Sequence, residues 1–413
     1  MKIVSFSRAL PFEGIPHAGG EYVLRHIEAL IESGHEVCLI VPADERNLQA
    51  FSRFDLGARV LFIPLSGSPF ARARRWMTTR ARPALPSPEL PANLLRETDI
   101  VEALQAADLV EYHWTETSYL HRAVARVLPS SVPVICVAQD VLTQKFQRAV
   151  QGPGGGVRRV LRHIRSWFVT ADEVRMLKAM NRIVTFSEKD QQLLQHLRTG
   201  VPVGVINPPL EPSDERWTLP RTPDELDVLF VGAFSRPENA TAAVWLMSDV
   251  WPRVLERLPR ATLQVVGSNP SAEMVANAES RPSVHIVGYV DDLVPYYQSA
   301  AVVVVPLLSG AGVKFKTITA MLWGVPLVST PVGIEGIAEP GSDLFVGVTE
   351  DPAEFAAAIV AALNDKAWAE GTAQRAREFS TQAFGRSTFS RHLNSIYLDM
   401  RGKVAGESTT SAV

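Results

Sequence analysis

Residues 301–330 read AVVVVPLLSGAGVKFKTITAMLWGVPLVST. A β-branched apolar run, Ala301 to Leu307, gives way to a glycine loop, then to a helical pattern, then to a second apolar run, Pro326 to Thr330. Strand, loop, helix and strand in that order form the crossover unit of a parallel sheet. The same alternation extends in both directions. Upstream in this half, strands are expected near Asp227 to Phe234, Thr262 to Ser268 and Val284 to Val290. In the first half they are expected near Lys2 to Ser7, Glu36 to Pro42, Arg59 to Leu65, Asp108 to Trp114, Val132 to Asp140 and Arg182 to Ser187. The fold class is therefore α/β, with parallel sheets covered by helices on both faces.

A chain of 413 residues exceeds what one hydrophobic core usually supports. The proline-rich, charged stretch from Asn207 through Pro208, Pro209, Pro212, Pro220 and Pro223 can hold neither a helix nor a central strand, so it marks the boundary between two domains. We expect one Rossmann-like domain over 1–210 and a second over 224–384, with a last helical pattern over 385–400 packing back on the first. Such sheets bind ligands at the carboxyl ends of their strands, and two facing sheets imply a cleft. Apolar residues make up 46% and charged residues 21%, and the formal net charge of -3 gives no general attraction to nucleic acid. Cys38 and Cys136 each sit inside an apolar run and read as small buried hydrophobes, which fits a reducing compartment. No apolar run approaches the roughly 20 residues of a membrane span, and the start reads as a strand rather than a leader. A cytoplasmic location is expected.

Two loops have the composition for chemistry. After the first strand, His17-Ala18-Gly19-Gly20 precedes a helix, where glycines let backbone N–H groups approach a phosphate or sugar, or simply make a turn. After the strand at 301–307, Ser309-Gly310-Ala311-Gly312-Val313 leads into a helix bearing Lys314, Lys316 and Thr319. Lysines in a first turn oppose the positive end of the helix dipole unless an anion offsets them, and a diphosphate is such an anion. The loop lacks the Gly-Lys-Ser/Thr ending of a Walker ATPase, and neither half shows the Gly-x-Gly-x-x-Gly of a nicotinamide dehydrogenase.

The runs Gly310 to Lys316 and Ala320 to Thr330 resemble the donor-binding segment of the GT4 family of retaining glycosyltransferases. Gly19-Gly20, Ser33 to Val37, Val184 to Asp190, Phe230 to Phe234, Arg236 to Asn239 and Val287 to Asp292 extend the resemblance over most of the chain. It implies the GT-B architecture, two Rossmann-like domains facing across a cleft. It also implies a nucleotide-diphosphate-sugar donor on the second domain, with no metal and no cofactor. Gly232 would end the first strand of that domain near the diphosphate, with Arg236 beside it. Lys316, and secondarily Lys314, would neutralise the leaving diphosphate. The backbone of Gly310, Ala311, Gly312 and Val313 would cradle donor oxygens, and Gly19 and Gly20 would approach the donor from the first domain. The pair Asp291-Asp292 reads as a helix cap rather than as metal ligands.

The departures from the family pattern are specific. Its two glutamates are replaced by Ala311 and Thr319, and Thr319 offers the ribose a neutral, shorter group. The strand that often ends in His-Asp ends here in Gln139-Asp140. Transfer with retention needs no protein nucleophile when the leaving diphosphate takes the acceptor proton, so Asp140 is left to orient or deprotonate an acceptor hydroxyl, or to cap its strand. His113 and Glu116 are further acceptor-side candidates. The resemblance implies transfer to a saccharide, lipid-linked or small-molecule acceptor; a silent nucleotide-sugar binder and a nucleotide-sugar epimerase are the rivals.

Two basic elements interrupt the first half. One is the proline-flanked insertion holding Arg72, Arg74, Arg75, Arg80 and Arg82. The other is an amphipathic helix, Val157 to Phe168, in which Val157, Val160, Leu161, Ile164 and Phe168 share a face and Arg158, Arg159, Arg162 and Arg165 lie mostly elsewhere. Either as solvated faces or as weak peripheral contacts with an anionic membrane, they belong to the acceptor domain.

Overall fold

The computed structural model describes residues 1–15, 18–85, 87–151, 156–211 and 215–410. They divide into two compact units, Met1–Pro209 together with the segment from Ser387 onward, and Leu210–Arg386. The division falls at the head of the proline-rich stretch.

The first unit holds a seven-stranded parallel sheet. Its strands are β1 Lys2–Phe6, β2 Glu36–Pro42, β3 Arg59–Ile63, β4 Leu109–His113, β5 Val134–Val137, β6 Arg182–Thr185 and β7 Val203–Val205, in the spatial order β3-β2-β1-β4-β5-β6-β7. The second holds six strands, β8 Asp227–Val231, β9 Thr262–Val266, β10 Val284–Gly288, β11 Val302–Val305, β12 Leu327–Ser329 and β13 Gly347–Val348, ordered β10-β9-β8-β11-β12-β13. Strand order reverses between β1 and β4 in one sheet and between β8 and β11 in the other, and doubly wound sheets open their ligand crevices at such points. Central strands β4 and β11 are buried along their whole length because helices cover both faces. Cys38 and Cys136 are free and buried, and burial pushes their thiols up to about 11 and about 12. They act as small core residues.

The helices follow from their apolar stripes and caps. In Ala18–Glu32, Tyr22, Val23, His26, Ile27 and Leu30 recur at helical spacing and are buried. The helix stops at Gly34, whose φ of +78° is one that only glycine adopts without strain. Ser187 starts the helix Glu188–His196 by accepting the N–H of Asp190. The basic helix begins at Val157 but continues to Leu177, nine residues past its amphipathic stretch, because Val169, Asp172, Glu173, Met176 and Leu177 are buried against the unit. The arginine-rich insertion forms the helix Pro69–Ala81, capped by Ser68. The last helix, Arg386–Thr410, belongs to the first unit and buries Phe389, Leu393, Tyr397 and Met400 there. Among the described residues no helix is long and apolar enough to cross a membrane.

Candidate active site

In the second unit the candidate residues gather where strand order reverses. Strand β8 ends at Val231, and the turn that starts at Gly232 leads into the helix Pro237–Trp245. Gly267, at φ +149°, brings its backbone so close to the Gly232 carbonyl that a side chain there would collide with it. Asn239, on the first turn of that helix, donates from Nδ2 to the Ala233 carbonyl at 2.8 Å. That fixes the amide, and its Oδ1 accepts a hydrogen bond from Lys316 Nζ at 2.8 Å. The same ammonium lies 5.1 Å from the centre of the Phe230 ring, and a Cβ on Gly232 would sit 3.2 Å from it. Lys316 thus meets an amide oxygen, an aromatic face and the end of β8.

Burial, then the nearby Arg236 and Lys314 cations, push the Lys316 ammonium down to about 7, with Glu238 opposing. A cation held this way gains from any anion placed beside it. Arg236 is exposed at the start of the same helix.

Lys314 behaves differently. It precedes the helix Phe315–Leu322 as its cap residue, is buried, and donates to the Gly312 carbonyl at 2.5 Å. Its Nζ also lies 3.9 Å from Glu335 Oε2. It ties the loop 310–313 to itself and to the segment after β12. Gly310 at φ +140° and Gly312 at φ +70° give that loop a path that side chains disfavour. Ala311, Val313 and Thr319 are partly buried, Thr319 lying one turn beyond Lys316. Asp292 accepts the Val294 N–H at 2.9 Å and pairs with Arg216, but the N-cap of the helix Val294–Ser299 is Leu293, without a side-chain cap bond, so the expected cap is not formed by the acidic pair.

The first unit has its own cluster at the corresponding edge. Gly19 and Gly20 open the helix Ala18–Glu32, while His17 lies outside the described residues. A Cβ on Gly19 would collide with the Gln139 amide and come within 2.8 Å of the Trp114 indole, so close packing alone requires glycine there. Gln139 Nε2 donates to the Gly19 carbonyl at 3.3 Å. Trp114 follows β4 at φ +64° and ψ +138°, a conformation that costs a non-glycine residue on the order of 1–3 kcal/mol. The Arg8 guanidinium lies 5.4 Å from the Trp114 ring and 3.6 Å from Glu116 Oε1. Burial, with Asp140 adding, raises the Glu116 carboxyl above its usual range against Arg8 and Lys145. Asp140 is partly exposed, with Lys145 Nζ at 4.0 Å. It does not serve the following helix, Leu142–Gln151, whose first N–H groups, from Leu142 and Thr143, go to Glu173 at 2.8 and 2.7 Å. Asp140 and Glu116 therefore share one electrostatic neighbourhood at the sheet edge.

His113 is not an acceptor-side group. It is fully buried, with Nε2 3.0 Å from Glu111 Oε1. Glu111 also receives hydrogen bonds from Ser5 Oγ at 2.5 Å, from His26 Nε2 at 3.1 Å and from the Tyr397 hydroxyl. His26, Glu111 and His113 have ligand atoms within 4.8 Å of one another, as a metal site would. The carboxylate's lone pairs are already taken by those four donors, while the buried His113 Nδ1 has no hydrogen-bond partner. Burial alone would raise Glu111, but His26 and His113 hold it well below the usual carboxylate range.

The sequence reading missed Asn239, Phe230 and Glu335 in the second unit and Arg8, Trp114, Lys145 and Glu173 in the first. Asn239 and Phe230 stand within runs that carry the family resemblance; nothing in the spacing of the others singles them out.

Residues 225–365 match the family model described as Glycosyl transferases group 1. An uncharacterized 44.6 kDa protein of the cps region of Klebsiella pneumoniae is 29% identical over 141 residues, which cover 32% of this chain and 36% of that protein. Among solved structures, sucrose-phosphate synthase from Thermosynechococcus elongatus superposes with a TM-score of 0.71 at 18% identity, covering 97% of this chain and 99% of that one. Anabaena HepE in complex with UDP-glucose gives 0.66 at 13% identity, covering 97% and 100%. S. aureus TarM gives 0.68 at 8%, covering 96% and 100%. The second unit thus carries a match to the glycosyl transferases group 1 family over residues 225–365, and the chain shares the GT-B fold of these solved structures.

Proposed function

We propose that the chain transfers a hexosyl or deoxyhexosyl group from a nucleotide-diphosphate-sugar to a saccharide, lipid-linked or small-molecule acceptor, with retention at the anomeric carbon. The observation that carries this reading is Lys316, a cation held against Asn239, Phe230 and Gly232 with its ammonium pushed down to about 7. Two neighbours by fold are described with UDP-glucose, or with UDP and α-GlcNAc-glycerol, which supports a donor of this class.

As the glycosidic bond to the diphosphate breaks, charge grows on the leaving oxygens. Lys316, Arg236 and the backbone of Gly310 to Val313 stabilise that charge, so no metal is required in this reading. The leaving diphosphate oxygen takes the acceptor proton, while Asp140 and Glu116 orient the hydroxyl. Thr319 replaces a carboxylate at the ribose and anchors it less strongly. The reaction belongs to the cytoplasm, where thiols such as Cys38 and Cys136 stay reduced.

A panel of nucleotide-sugars against the purified chain, scored by thermal shift and by slow sugar release, tests this. The true donor at a hundred times its Kd stabilises the fold by ~2.7 kcal/mol and releases sugar. Stabilisation without release, even with acceptors added, would leave only a binder; no response to any donor would end the reading.

A further inference from the structure

The two basic helices of the first unit carry their apolar stripes on the wrong side for a core. In Val157–Leu177, at about 100° per residue, buried Ser166, Val169, Glu173 and Met176 define the inward face. Val160, Leu161, Ile164, Trp167 and Phe168 lie on the opposite face, with Leu161 58% and Trp167 67% exposed. The side chains of Val157 and Arg158 lie outside the described residues.

Pro69–Ala81 repeats the pattern. Ala71 is buried, and Phe70, Trp76 and Met77 point away from it, Phe70 being 78% exposed. The Arg80 guanidinium sits 4.0 Å above the Trp76 ring. The two helices are joined. Arg82, just past the first, pairs through Nε and its terminal nitrogen with Asp172 of the second, and Ala84 packs with Leu142, Val169 and Met176.

Charge selects what covers such a surface. Residues 66–88 carry five arginines and no acid; residues 142–171 carry five arginines and one lysine and no acid, in a chain of net charge -3. Arg75 and Arg82 are paired with Glu89 and Asp172, but exposed aromatics beside the remaining arginines, such as Trp76 under Arg80, match an anionic lipid headgroup layer over its acyl boundary. There, rings settle at the interface and each basic side chain adds attraction.

We infer that the helices Pro69–Ala81 and Val157–Leu177 together form a docking surface for an anionic lipid bilayer, with Phe70, Trp76, Trp167 and Phe168 entering the interface. The test is flotation of the full chain with vesicles of pure phosphatidylcholine and of phosphatidylcholine mixed with phosphatidylglycerol. Binding is expected to the mixed vesicles only, and to weaken as salt rises. Trp76→Ser/Trp167→Ser and Arg159→Glu/Arg165→Glu should each lower it at least about tenfold. These side chains are exposed, so the thermal melt should stay in place. No flotation with the mixed vesicles at low salt, or equal flotation with both kinds, overturns the inference. So does a chain that sediments as a dimer and becomes monomeric on Trp167→Ser, because the face would then belong to a second copy. The readout is independent of turnover, so it stands or falls apart from the transferase reading.

Discussion

Lys316 has an environment with a measurable consequence. Its ordinary value of 10.5 is pushed down to about 7 by burial and by Arg236 and Lys314. A bound diphosphate favours the charged form, so above about pH 7 binding must take up a proton, and affinity falls as pH rises from there. Titration calorimetry of the selected nucleoside diphosphate at about pH 8, in two buffers of different ionisation heat, reads that uptake directly. No uptake would place Lys316 away from the ligand. For stability the sign is opposite to that of a paired lysine. The folded value lies below the unfolded one, so at neutral pH the partly buried cation weakens the fold, and the weakness is relieved as pH climbs from about 7 toward 10.5. Lys316→Met should therefore leave stability unchanged or raised, abolish the proton uptake and cut turnover by about 10²-fold or more. The sequence singles this lysine out because a lysine at a helix start behind a glycine loop is locally unfavourable. Lys314 stood second to it on the same grounds, and only the fold shows its ammonium turned back on Gly312 and Glu335. Trp114 left no trace at all, since backbone strain has no signature in a residue's identity.

At the scale of elements, eleven strands could be read from β-branched runs, but β7 and β13 could not. They have three and two residues, too few to show periodicity, and each lies at a sheet edge where few side chains need be apolar. The basic helix shows the converse problem. Its apolar stripe could be read from the spacing, but only the buried stripe from Ser166 to Met176 reveals which side faces the unit. Caps were only partly legible. Ser187 and Ser68 are local and follow from sequence, whereas the helix Leu142–Gln151 is capped from 30 residues away by Glu173. Burial raises that carboxyl to about 7 in spite of the N–H groups it accepts. Glu173→Ala should cost about 1–2 kcal/mol, read as a lower denaturant midpoint at unchanged slope. It should also loosen the Gln139–Asp140 turn that leads into the helix. An unchanged midpoint would mean that water caps the helix as well as Glu173 does.

Over the whole molecule, the chain ends by returning to the unit in which it began. A last helix over Arg386 to Leu398 could be read from its pattern; what receives it could not, because Glu111 is one acid within an apolar strand. The receiving group is that buried carboxylate, held by Ser5 from β1, His26 from the helix Ala18–Glu32, His113 from β4 and Tyr397 from the final helix. Four segments far apart in sequence converge on one charge, and removing one donor leaves that charge under-satisfied. Tyr397→Phe should cost about 1–3 kcal/mol. The pH dependence separates this from a packing loss. Glu111 has a folded value below 4.5, so its contribution is present above that and is lost as pH falls through the folded value. Burial likewise holds His113 below 6.5, so its contribution begins to fall once the unfolded imidazole protonates below that pH. Acid therefore weakens this unit on both counts. Without the tyrosine donor the folded Glu111 value rises, and the acid unfolding midpoint should move to higher pH in Tyr397→Phe than in the parent. Thermal melts across an acid pH series read this shift. A variant that lost stability equally at every pH would show that Tyr397 acts through packing alone, and that the carboxylate does not hold the returning helix.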